Sequence, residues 1–112
     1  MSYKDYKELI VWQKSMLLSE KAYELIKTLP SNERYCLSDQ IRRSAISIPS
    51  NIAEGHGRNS KNEFSHFLAI SRGSLSELET QLILGERIGF FQIIKRAHYL
   101  NCVMKYAKCY QK

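Results

Sequence analysis

The sequence predicts an all-α protein: an antiparallel, up-down-up-down bundle of four helices. Three observations predict it. Apolar residues recur every three or four positions through four successive segments. Short connections rich in proline, glycine, serine and asparagine separate those segments. With 112 residues, 44% hydrophobic and 25% charged, the chain can bury one core but not two, so a single domain over residues 1–112 is expected.

The first segment, about Tyr6 to Thr28, sets Leu9, Trp12, Met16, Tyr23 and Ile26 on one line and Val11, Leu18, Ala22 and Leu25 on a second. Together the lines cover roughly half the helix circumference. That is wider than a monomeric bundle needs, so a second apolar contact is expected, inside the bundle or against another subunit. Leu29-Pro30-Ser31-Asn32 stops the helix, because proline cannot continue the hydrogen-bond ladder.

The second segment begins near Asn32 or Ser38 and carries Leu37, Ile41, Ala45, Ile48 and Ile52 in helical register. Pro49 permits a break near Ile48 or a long helix kinked at the proline. The apolar period survives across it, and serines can satisfy freed carbonyls, so the kinked helix is preferred. Gly55 and Gly57 are expected to end it, glycine being at ease in the left-handed conformation of C-caps.

Ser60 and Glu63 form a capping box for the third segment. Phe64, Leu68, Ser71, Leu75, Leu78, Leu82 and Gly85 follow at alternating fours and threes to about Ile88, and Gly89 supplies the stop. Gly73 lies inside, where glycine costs about 1 kcal/mol relative to alanine, which reads as a crowded helix crossing at Gly73-Ser74. The last segment, about Phe91 to Tyr110, has Ile93, Ala97, Leu100, Met104 and Ala107 as its core line.

Charge points to a partner. The formal net charge is +6, and residues 92–112 hold five bases and no acid. Lys95, Arg96, His98, Lys105, Lys108 and Lys112 make a basic face suited to phosphates, and Tyr99, Tyr106 and Tyr110 are placed to stack on unpaired bases. The same tyrosines would also serve a core edge or a subunit interface, and the charge would also suit a solvated face. No apolar run approaches the roughly 20 residues of a membrane span. The first eight residues hold two acids and no apolar run of signal-peptide type, so a soluble cytoplasmic protein is expected. Cys36, Cys102 and Cys109 are an odd set at unrelated spacings and read as reduced thiols. His98 and Cys102 share a helix face, but two ligands do not hold a structural metal. No cofactor or metal is expected.

The stretch QIRRSAISIPSNIAEGHGR, Gln40 to Arg58, reads as a packing and assembly element. It runs from paired arginines through ten uncharged, mostly small residues, Ser44 to Ala53, to Glu54-Gly55-His56-Gly57-Arg58. Small side chains let another backbone approach closely. Arg42 and Arg43 suit either phosphate binding or salt bridges across the bundle or between subunits. With Asn59 as the hairpin apex, they fall near Glu77 and Glu54 falls near Phe64. At least one of the two arginines is therefore expected to bond Glu77 or Glu79. Glu54, His56 and Arg58 lack a recognisable nucleophile beside them, and Gly55-His56-Gly57 closes a helix instead of opening one after a strand. An enzyme is not expected.

These residues resemble a four-helix-bundle family encoded by intervening sequences of bacterial 23S ribosomal RNA genes, some members of which are labelled ribosomal proteins. The family includes relatives of the accessory variability determinant proteins of diversity-generating retroelements. The resemblance runs through VWQKS, LPSNERYCL, the Gln40–Arg58 stretch including Asn51, and EFSHFLAISRGSLSELETQL. Cys36, Leu29 and Gly85 depart from residues common there. The resemblance implies a second helix continuous through the proline and assembly as a ring-shaped homopentamer. For the retroelement branch it implies binding of nucleic acid and of a reverse transcriptase. The expected function is a non-catalytic, oligomeric module that binds structured RNA or DNA. The alternative is a scaffold for an acidic protein partner.

Overall fold

The computed structural model describes residues 5–29 and 36–90. Among these, regular structure is entirely helical: a 3-10 turn at Tyr6–Glu8, α1 at Ile10–Ile26, α2 at Leu37–Gly57 and α3 at Lys61–Arg87. The predicted fourth segment and the connection over 30–35 lie outside the described residues.

The first helix starts later than its periodicity indicates. Asp5 caps the 3-10 turn, accepting from the Lys7 amide at 2.9 Å, and Leu9 is extended (φ −72°, ψ 128°) between the turn and α1. The Gln13 side chain donates to the Lys7 carbonyl at 2.9 Å and ties the turn to the helix. In α1 the core is entered by Val11, Leu18 and Ala22, with Leu25 partly buried. The other apolar line is split: Leu9 is buried before the helix, Trp12 and Ile26 pack at the core's edge, and Tyr23 is exposed.

The central helix is α2, which packs along α3 and, less extensively, along α1. Contacts fix both directions. Tyr23 late in α1 meets Arg42 early in α2, and Ser19 meets Ala45. Along α3, Gly55 faces Phe64, Ile48 faces Ser71 and Ser44 faces Gln81. Each neighbouring pair is therefore antiparallel. The predicted core lines of α2 and α3 are buried throughout, from Leu37 to Ile52 and from Phe64 to Gly85.

Helix α2 runs unbroken through Pro49. Proline has no N–H, so the carbonyl four residues back, that of Ala45, loses its helical donor. The Ser19 hydroxyl of α1 donates to that carbonyl at 2.7 Å. A buried acceptor left unpaired would cost about 1–3 kcal/mol, so one small polar residue on the neighbouring helix makes the proline tolerable.

The end of α2 differs from expectation. Neither Gly55 nor Gly57 has a positive φ: Gly55 is buried inside the helix and Gly57 is its last residue. The left-handed residue is Asn59, at φ 56°, one of the few side chains that tolerate this region. Ser60 then caps α3, accepting from the Glu63 amide at 3.4 Å. The Glu63 carboxylate lies 3.8 Å from Arg58, so only half of the capping box forms. Gly89, at φ 85°, supplies the predicted stop after α3.

Candidate functional site

The Gln40–Arg58 stretch makes up α2 from the end of its first turn to its C-cap. On its α3 face a polar seam runs through the packing. Ser44 donates to Gln81 Oε1 at 2.7 Å, and the Ser47 and Ser74 hydroxyls are 2.7 Å apart. Asn51 donates to the Ser47 carbonyl at 2.8 Å and hydroxyl at 2.9 Å, and Ser71 donates to the Ile48 carbonyl at 2.9 Å. Short hydroxyl side chains place these bonds while holding the backbones close. The helices come close at Gly55, where an added Cβ would sit 2.6 Å from Phe67 Cβ and 3.2 Å from Phe64 Cδ1. Within the chain these small residues serve the packing of α2 on α3.

Charged residues gather where the seam ends. Arg58 binds Glu54 at 2.8 Å, lies 3.8 Å from Glu63, and stands 5.2 Å over the Phe67 ring. The hydrogen bond to Glu54, with the nearby charge of Glu63, holds the guanidinium even more firmly protonated than usual. The His56 and Phe64 rings meet edge to face with centroids 6.1 Å apart, and His56 Nε2 is buried with no hydrogen-bond partner among the described residues. Glu54 is engaged with arginine, so this turn is an ion-pair cluster around an aromatic pair.

On the α1 face, α2 leaves an open groove of about 360 Å³. Tyr6, Trp12 and Met16 line one side and Ile46, Pro49 and Ala53 the other. Tyr6 and Trp12 meet edge to face with ring centroids 5.3 Å apart, which fixes the aromatic wall. Arg42 lies one helical turn beyond Ile46, with its guanidinium 5.8 Å from the Tyr23 ring centre and 2.9 Å from Asp39. The surplus apolar width read in α1 becomes this groove, because Val11 and Leu18 are already consumed by the core.

The family model for the 23S rRNA-intervening sequence protein matches residues 7–111. The chain belongs to that family. No curated protein matches it in sequence.

Two expectations about the site are corrected. Arg42 takes Asp39, three residues away on its own helix, and neither it nor Arg43 bonds Glu77 or Glu79 among the described residues. Leu75, Leu78 and Leu82 direct α3 into the core, which leaves Glu77 exposed on another face. The crowded crossing is also not at Gly73, where an added Cβ would meet nothing within 4 Å. Its neighbour Ser74 fills that role, buried and bonded to Ser47. Gly57 likewise faces open space. The basic and aromatic candidates of the last segment, Lys95 to Lys112, lie outside the described residues, as do Cys102 and Cys109. Cys36 is free and exposed just before α2. Among the described residues no three His, Cys, Asp or Glu side chains gather closely enough for a metal ion, and no helix is long and apolar enough to cross a membrane.

Sequence reasoning missed the groove, and it expected serines to satisfy the freed carbonyls without singling out Ser19 of α1 as the donor to Ala45. The signal for that donor was present: a buried-line serine on one helix and a mid-helix proline on the next.

Proposed function

We propose that the chain is a non-catalytic, self-associating module that binds structured RNA or DNA. Its full form is an up-down-up-down bundle of four helices, with α2 kinked at Pro49, assembled in the cytoplasm as the homopentamer that the family resemblance implies. One observation carries the binding reading. Residues 5–29 and 36–90 hold ten Lys or Arg and ten Asp or Glu, whereas residues 92–112 hold five bases and no acid. The excess charge is thus concentrated in one segment, where Lys95, Arg96, His98, Lys105, Lys108 and Lys112 alternate with Tyr99, Tyr106 and Tyr110. Repeating such a segment in an oligomer multiplies weak phosphate contacts into useful avidity. The likeness to retroelement accessory proteins puts a reverse transcriptase among the partners to test.

The test is purification of the native oligomer at low salt, followed by a nucleic-acid assay of the product and elution with a salt gradient. Co-purifying RNA or DNA released by salt supports the proposal. Capture of one acidic protein with no nucleic acid would establish the scaffold function in its place.

A further inference from the structure

We infer that the α1/α2 groove receives the outer face of α3 from a second copy, so that subunits join head to tail. The inference rests on the self-association proposed above and names the two surfaces that meet. The groove is concave and apolar, and Ile46 on its rim is 45% exposed within the chain. The outer face of α3 carries Ile70 and Leu84, with Ile88 at its C-cap, exposed by 39%, 49% and 50%. Spacings of seven and four residues along a helix align Ile70, Glu77, Leu84 and Ile88 on one stripe. The two surfaces belong to different helices and differ in shape. A groove cannot fill a copy of itself, whereas a ridge of aliphatic side chains can fill a groove. Pairing of unlike surfaces is heterologous, and its repetition gives closed rings or open filaments.

Charge agrees with the same pairing. Glu77 sits in the middle of the α3 stripe and has no ion-pair partner among the described residues. Arg42 stands at the end of the groove and spends one guanidinium nitrogen on Asp39, which leaves further N–H donors for a second carboxylate. An acidic residue on the ridge thus faces a basic residue beside the groove.

The experiment uses the full chain and two exposed substitutions, Ile46→Glu in the groove and Leu84→Glu on the ridge, with mass measured by light scattering and helicity by circular dichroism. Each variant alone is expected to keep wild-type helicity and to run as a monomer. Mixed in equal amounts, they retain one intact groove and one intact ridge, and the expected product is a heterodimer of twice the monomer mass. A monomeric wild type at high concentration would overturn self-association and this inference together. A wild-type oligomer that both variants preserve would overturn the inference alone. Variants that are each monomeric but fail to pair when mixed would overturn the head-to-tail arrangement.

Discussion

The Ser19 hydroxyl donates a 2.7 Å hydrogen bond to the carbonyl of Ala45, the acceptor that Pro49 deprives of its helical donor. The same hydroxyl lies 3.0 Å from the Ser15 carbonyl of its own helix, so its single proton is shared between two acceptors and the contact to Ala45 is the shorter. Removing the hydroxyl leaves a buried carbonyl unpaired. Ser19→Ala should therefore destabilise the protein by about 1–3 kcal/mol in urea unfolding. In a Pro49→Ala background the helical N–H returns and the cost of Ser19→Ala should shrink. An unchanged cost in that background would refute the coupling.

Glycine substitutions should separate the crossing from open surface. Gly55→Ala places a methyl group 2.6 Å from Phe67 Cβ, a contact that neither backbone can avoid without moving. Overpacking of this kind costs about 1–3 kcal/mol. Gly73→Ala meets nothing and should stabilise the helix by about 1 kcal/mol, the propensity difference. Thermal melts of the two variants check the opposite signs.

Asn59 carries the left-handed turn between α2 and α3. Replacement by alanine should cost about 1 kcal/mol, because alanine keeps the Cβ but loses the short polar side chain that eases asparagine into that conformation. Asn59→Gly should be neutral or mildly stabilising. Equal stability of the alanine and glycine variants would show that the turn relaxes instead.

The 3-10 turn should respond to acid. The hydrogen bond from the Lys7 amide, helped by the Lys7 ammonium, holds the Asp5 carboxyl below its ordinary range. A carboxylate depressed in the folded state stabilises above its unfolded pKa, and the contribution disappears as pH falls through the folded value. The Lys7 amide resonance should shift as the cap is lost below the ordinary aspartate range, and Asp5→Asn should remove that step. A Lys7 resonance with the same acid transition in the variant would assign the titration to another group.

Lys105 and Lys108 bear on the proposed binding. If each neutralises one phosphate, the Lys105/Lys108→Glu variant should weaken binding across sequences and lower the slope of log affinity against log salt by about 2. A slope equal to that of the wild type would exclude these lysines from the interface.

Much of this architecture was legible, and the misses have a common cause. The α2 and α3 core lines could be read because each recurs without interruption at spacings of three and four along its helix. Gly89 and Ser60 were equally readable, because each acts through its own backbone. Helix α1 offers two adjacent apolar lines, and spacing alone does not say which faces α2. Periodicity also counts Gly55 and Gly73 alike, though Phe64 and Phe67 stand against the first and nothing against the second. Arg42 had carboxylates available on two helices, and the partner three residues away won because one turn of helix already holds it in reach. Within the Gln40–Arg58 stretch, the small residues were recognisable as packing. Which of them touch α3 and which border the groove depends on the crossing geometry.

The donor that completes α2 comes from a residue 26 positions earlier in the chain. Isolated from α1, the middle helix would have a gap at its midpoint that its own sequence cannot close. Its autonomy is therefore limited: α1 must settle before α2 is whole, and any excision of the first 29 residues should soften the helix around Ala45 as well as expose its side. Amide exchange concentrated at that turn would be the mark of such codependence.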